Sequence, residues 1–287
     1  MHPRGESRRT ALWVGGVAAT VAAVGAGVWI VRDRRARLRA PEGPAPQEGP
    51  TPIERTSPKA QGFSAPVAVV WCGPVSAAQS NGAELPGVRT VHRPCTGDGS
   101  PSCGQIAESW RGPDGRRLPA LRKALGLPEA GRIFLAGFSA GGHLIWRILQ
   151  DPRDRDEVAG VYLADGTYTT EWKDERARVA APMAPYVDFG RFVMGDPSRL
   201  FIATASAAPN KNHPTGAETL TAIADALSLP SAPLTSGLPP ARRAWGAGAN
   251  LRFFDYGNTF SHAQQVTALA QKVWPILVAP HFETVRA

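Results

Sequence analysis

Arg132-Ile133-Phe134-Leu135-Ala136-Gly137-Phe138-Ser139-Ala140-Gly141-Gly142-His143-Leu144 joins a short apolar run to a cluster of small residues and then to a second apolar segment. The first five residues are continuous and mostly apolar, as in a strand buried on both faces. Residues 144–149 have helical character and stop before Pro152. Between them lies Gly137-Phe138-Ser139-Ala140-Gly141, a G-x-S-x-G. A serine on so tight a strand-to-helix turn adopts a strained backbone, and its neighbours two residues away on either side must lack side chains to avoid collision. The turn lifts the hydroxyl to the carboxyl end of the sheet, with the N-terminus of a helix behind it. As a bare pattern G-x-S-x-G arises by chance in chains rich in small residues. Framed by a strand and a helix it marks Ser139 as a candidate nucleophile, the alternative being a glycine-rich turn with an inert serine.

Outward from this turn the chain alternates. Val67-Ala68-Val69-Val70-Trp71, residues 88–92, 158–164, 200–205 and 251–256 read as further strands. Residues 118–125, 218–227 and 262–277 read as helices. The spacing predicts an α/β fold: a mostly parallel sheet of about six strands with helices on both faces. Residues 167–199 contain Tyr168, Trp172, Met183, Tyr186, Phe189, Phe192 and Met194, and fit either a small lid over the carboxyl edge or a helix packed on the core.

The order strand, Gly137-Phe138-Ser139-Ala140-Gly141-Gly142-His143-Leu144, helix, strand, helix, strand, then a late strand followed by a histidine resembles the α/β-hydrolase family, and the elbow is similar to that of its carboxylesterase-type members. The resemblance covers residues 66–287 as a compact version of the fold without a long inserted cap. It implies a serine hydrolase that cleaves small-molecule or lipid-like carboxylic esters through an acyl-enzyme, without cofactor or metal. An acyltransferase or peptidase could use the same residues, and a non-catalytic scaffold could keep the same fold. The base it implies is His262, which follows strand 251–256 through Gly257-Asn258-Thr259-Phe260-Ser261. His143, inside the first turn of the elbow helix, reads as a packing residue, His213 as a possible site-lining one, and His92 precedes the elbow. The acid is Asp165, at the end of the strand after the elbow, with Glu218 as the alternative; residues 206–212, where the family usually carries its acid, contain no carboxylate. Asp165 could also simply cap its turn. The oxyanion donors are the backbone N–H of Ala140 and one from the loop Cys72-Gly73-Pro74-Val75. Pro74 has no N–H, so Gly73 or Val75 must supply it. Cys72, beside this loop, has a second reading as a reactive thiol.

Ahead of this domain the composition shifts. Residues 1–10 are a basic tail. Ala11 to Val31, ALWVGGVAATVAAVGAGVWIV, carries no charge over 21 residues. At about 1.5 Å per residue such a helix crosses a hydrocarbon core of about 30 Å. Trp13 and Trp29 lie near its ends and arginines flank both sides. The alternative is a signal peptide cleaved after Val24-Gly25-Ala26. Residues 32–65, rich in Arg and then in Pro, read as a linker. The positive-inside rule leans to a cytoplasmic body, while the short basic tail leans outward. Cys95 and Cys103, across the turn-rich residues 96–102, allow a local disulfide that would favour an oxidising compartment and leave Cys72 free. The expectation is a single-pass membrane protein with a slight lean to an extracytoplasmic body. The net charge of +8 is concentrated at this end: residues 1–60 hold ten Arg/Lys against five Asp/Glu, the rest 22 against 19. With no basic–aromatic run in the body, nucleic acid is not an expected partner. No CxxC or HExxH spacing points to a metal. The sequence is silent on oligomeric state.

Overall fold

The computed structural model describes residues 63–96, 102–167, 182–208 and 214–283. The expected tail, span and most of the linker, together with Tyr168, Trp172 and His213, lie outside the described residues. In chain order come β1 (Phe63–Ser64), β2 (Ala68–Gly73), β3 (Arg89–Pro94), α1 (Cys103–Ser109), α2 (Leu118–Leu125), β4 (Ile133–Phe138), α3 (Gly141–Leu149) and α4 (Pro152–Asp156). There follow β5 (Val158–Ala164), α5 (Ala184–Gly195), β6 (Leu200–Ala205), α6 (Gly216–Ala226), β7 (Arg243–Ala247) and β8 (Leu251–Asp255). A helical run then begins with α7 (His262–Gln264) and passes through π turns at Gln265–Leu269 and Trp274–Val278, with α8 (Ala270–Val273) between them. It ends at β9 (Phe282–Glu283), which pairs with β1. Among the described residues no helix is long and apolar enough to cross a membrane.

The large sheet has seven strands in the order β3-β2-β4-β5-β6-β8-β7, all parallel except β7. The seventh strand is the one not expected. Its Arg243-Ala244-Trp245-Gly246-Ala247 is an edge strand with alternating burial, not a continuous apolar run, and it reaches β8 by a short turn through Gly248 at φ 68°. Every residue of β2, β4, β5 and β6 is buried, because helices cover both faces. On one face α1, α2, α3, α5 and α6 pack over Leu135, Val161 and Phe201. On the other, the run after His262 lays Val266, Leu269, Val273 and Trp274 over Phe134, Ala136 and Tyr162. Trp274 anchors that face, its ring 5.6 Å from Trp71, 5.5 Å from Tyr162 and 5.3 Å from Phe134.

Residues 184–195 form a helix packed on the core. Tyr186 and Phe189 of α5 are fully buried with ring centroids 6.2 and 5.5 Å from Phe201, so these two residues are not lid residues. The direction of chain progression reverses at β2: β3 lies on one side of it, and β4, β5 and β6 follow on the other. In open α/β sheets the crevice beyond the carboxyl ends of the strands at such a reversal is where ligands bind. The ends of β2 and β4 there are Gly73 and Phe138, the residue before Ser139.

Candidate active site

Ser139 links β4 to α3 with φ 52°, in the left-handed region. The glycines around it are required by close approach. A Cβ on Gly141 would overlap the carbonyl oxygen of Cys72, and one on Gly142 the carbonyl oxygen of Gly166. One on Gly137 would lie 2.8 Å from Ile145 Cδ1. The elbow is thus wedged between the ends of β2 and β5. The buried Tyr186 clamps it further, its hydroxyl donating to the carbonyls of Gly142 at 2.6 Å and Gly166 at 3.4 Å. Ser139 and Ala140 are half-buried. Ala140 stands at the N-terminus of α3, where backbone N–H groups lack intrahelical acceptors and the helix dipole favours negative charge.

Asp165 follows β5 with φ 47° and is fully buried. Its backbone N–H donates to Thr204 O at 2.8 Å, and Ser139 N–H donates to Ala164 O at 3.3 Å, so the two left-handed residues sit on adjoining strand ends. Its carboxylate reaches across the sheet edge. Oδ2 is 2.8 Å from His262 Nδ1, in a side chain 37% exposed. Oδ1 accepts from Ser206 N–H at 3.1 Å, and the Ser206 hydroxyl donates to Oδ2. A burial this complete is tolerated because each oxygen has a donor. The His262 ring packs on Phe138, centroids 4.8 Å apart, which brings it beside the residue preceding Ser139. With Nδ1 directed to the carboxylate, Nε2 is the nitrogen on the far side of the ring. Of the sequence candidates, Asp165, His262 and the elbow are therefore brought to one end of the sheet.

The others are placed elsewhere or otherwise engaged. Glu218 closes a capping box on α6, its Oε2 accepting from Thr215 N–H at 2.9 Å. His143 is buried against Trp146, with ring centroids 5.6 Å apart, and accepts from Arg147 Nε at 3.3 Å. Burial first, and then the charge of Arg147, push its pKa down to about 4. His92 bonds to Ser80 Oγ at 2.7 Å, and burial lowers its pKa. Cys72 is a buried free thiol whose pKa is pushed up to about 12 by burial, which leaves no thiolate near neutral pH and removes the basis for reading it as reactive. Val75 donates its N–H back to Gly73 O at 2.8 Å, so that N–H is already engaged. Gly73, at φ 111°, packs against the elbow so tightly that a Cβ would overlap the Phe138 carbonyl oxygen. Cys95 and Cys103 are joined by a disulfide, with Cα atoms 5.0 Å apart, and Cys95 N–H donates to Gly73 O at 3.3 Å. The residues that sequence reasoning did not single out are Ser206 and Gly216. At Gly216 a Cβ would overlap Asp165 Oδ1. Their role depends on a pairing of strand ends that no local pattern announces. Among the described residues no group of His, Cys, Asp or Glu is arranged to hold a metal ion.

No protein-family model and no curated protein matches the sequence. Among solved structures, a thermophilic esterase from Thermogutta terrifontis, in a malate-bound form, aligns over 76% of this chain and 92% of its own at 13% identity, with a TM-score of 0.36.

Proposed function

We propose that this chain is a serine hydrolase of the α/β-hydrolase type that cleaves carboxylic esters through a Ser139 acyl-enzyme. The observation that carries the proposal is the buried Asp165 carboxylate hydrogen-bonded to His262 Nδ1 at 2.8 Å at the same sheet edge as the left-handed Ser139. In this reading His262 Nε2 takes the proton of Ser139 Oγ as the oxygen attacks the acyl carbon. It then returns that proton to the departing alkoxide, and a water molecule repeats the sequence to free the acid. Asp165 holds the imidazole in the required tautomer and balances the imidazolium. The N–H groups of Ala140 and Gly73 stabilise the oxyanion. A non-catalytic scaffold is the second reading, and Pro74 with the inward-turned Val75 N–H favours it. A fluorophosphonate probe separates the two: we expect labelling of the full-length chain that Ser139→Ala abolishes. Equal labelling of both would leave the scaffold reading standing.

We further propose that residues 11–31 tether the protein as a single membrane span with the catalytic body on the extracytoplasmic side. The Cys95–Cys103 disulfide supports that side, since such bonds persist in oxidising compartments. Protein isolated without reductant and alkylated after denaturation should show one reactive thiol, that of Cys72. Three reactive thiols would remove this support.

A further inference from the structure

Asp165 is not held by its own strand. Ser206, 1% exposed at the carboxyl end of β6, supplies donors to both carboxylate oxygens: N–H to Oδ1 at 3.1 Å and hydroxyl to Oδ2, the oxygen that also meets His262 Nδ1. The direction of the hydroxyl is itself set. Ala208 N–H donates to Ser206 Oγ at 3.3 Å, occupying a lone pair and leaving the hydroxyl hydrogen for Asp165. Ser206 O in turn accepts from Ala217 N–H at 3.0 Å, which ties the residue to the first turn of α6. There Gly216 leaves room for Oδ1 where any side chain would collide with it. We propose that Ser206 is a positioning residue for the reaction: it fixes the plane of the Asp165 carboxylate so that Oδ2 presents to His262 Nδ1. The inference rests on the hydrolase reading above. A hydroxyl donating to an ionised carboxylate is among the stronger hydrogen bonds in a protein, and buried polar networks lose geometry when one member is removed.

The test is the second-order rate of Ser139 labelling by a fluorophosphonate in the full-length chain. Ser206→Ala should slow labelling roughly ten- to a hundredfold, the range expected for loss of a hydrogen bond to a charged group. Ser206→Thr, which keeps the hydroxyl, should recover most of that rate. If Ser206→Ala does not fold, Ser206→Cys carries the same test, because its thiol is close to the right size but donates weakly. Wild-type labelling speed in the Ala or Cys variant would overturn the role of Ser206 and leave the hydrolase reading intact. So would a folded Thr variant as slow as the Ala variant, since the effect would then belong to packing and not to the hydroxyl. A wild-type chain labelled no faster than Ser139→Ala would instead end the hydrolase reading, and this inference with it.

Discussion

Ser139 and Asp165 hold φ at 52° and 47°, a region that costs a non-glycine residue on the order of 1 kcal/mol or more. Ser228, at 51°, does so just after α6, where a left-handed residue ends a helix. The first two have no such excuse: they lie on adjoining strand ends, and the Asp165 carboxylate reaches Ser206 and His262. If the Asp165 carboxylate is what orients His262, Asp165→Asn should leave the fold intact and lower turnover of an ester substrate by roughly 10⁴, the scale of a misassigned histidine tautomer. Near-normal turnover in a folded Asp165→Asn variant would return Asp165 to the role of a turn residue. The grouping of Ser139, Asp165 and His262 followed from the resemblance of the chain. The contact of Asp165 with His262 was not legible, because the two lie 97 positions apart in sequence and only the register of β5, β6 and β8 closes that gap.

At the scale of elements, α2 shows how a tertiary contact can stand in for a local signal. It has a proline in its first turn and Gly126 as a left-handed stop, but its N-cap residue, Arg117, makes no side-chain cap. The cap comes from Asp154, on α4. This fully buried carboxylate accepts from the N–H groups of Arg117 at 2.6 Å and Leu118 at 3.2 Å, and from Arg116 Nε at 2.9 Å. Asp154→Ala leaves two helix N-terminal donors buried and one guanidinium with fewer partners. We expect a loss of about 2–4 kcal/mol in urea unfolding, with labelling at Ser139 retained in the folded fraction. A cost below about 1 kcal/mol would mean that water replaces the cap. The same logic explains α3, which has no side-chain cap either: its first turn is held by glycines pressed against β2 and β5, a constraint of contact and not of propensity.

For the molecule as a whole, histidines whose pKa burial lowers set a pH dependence of stability. His143 has a folded pKa of about 4 against an ordinary value of 6.5. Between those values the unfolded chain binds a proton that the folded chain refuses, so stability rises with pH. The contribution is fully present above about pH 6.5 and is lost as pH falls towards 4, at most about 3 kcal/mol. His92 and His281 are shifted in the same direction by burial. Urea midpoints should fall between about pH 7 and pH 5, and His143→Gln should flatten that slope; an unchanged slope would place the acid sensitivity elsewhere. The parallel α/β sheet, the elbow and the histidine after the last parallel strand were legible in the chain. These rest on local physics: continuous apolar runs bury on both faces, and only glycines tolerate the approach that the elbow requires. The antiparallel edge strand, the packing of α5 on the core, the donor Ser206 and the capping carboxylate of Asp154 came into view only in three dimensions. Each of these depends on which strand or helix ends meet in space, and that is settled by how the two faces of the sheet are covered, not by any window of the chain.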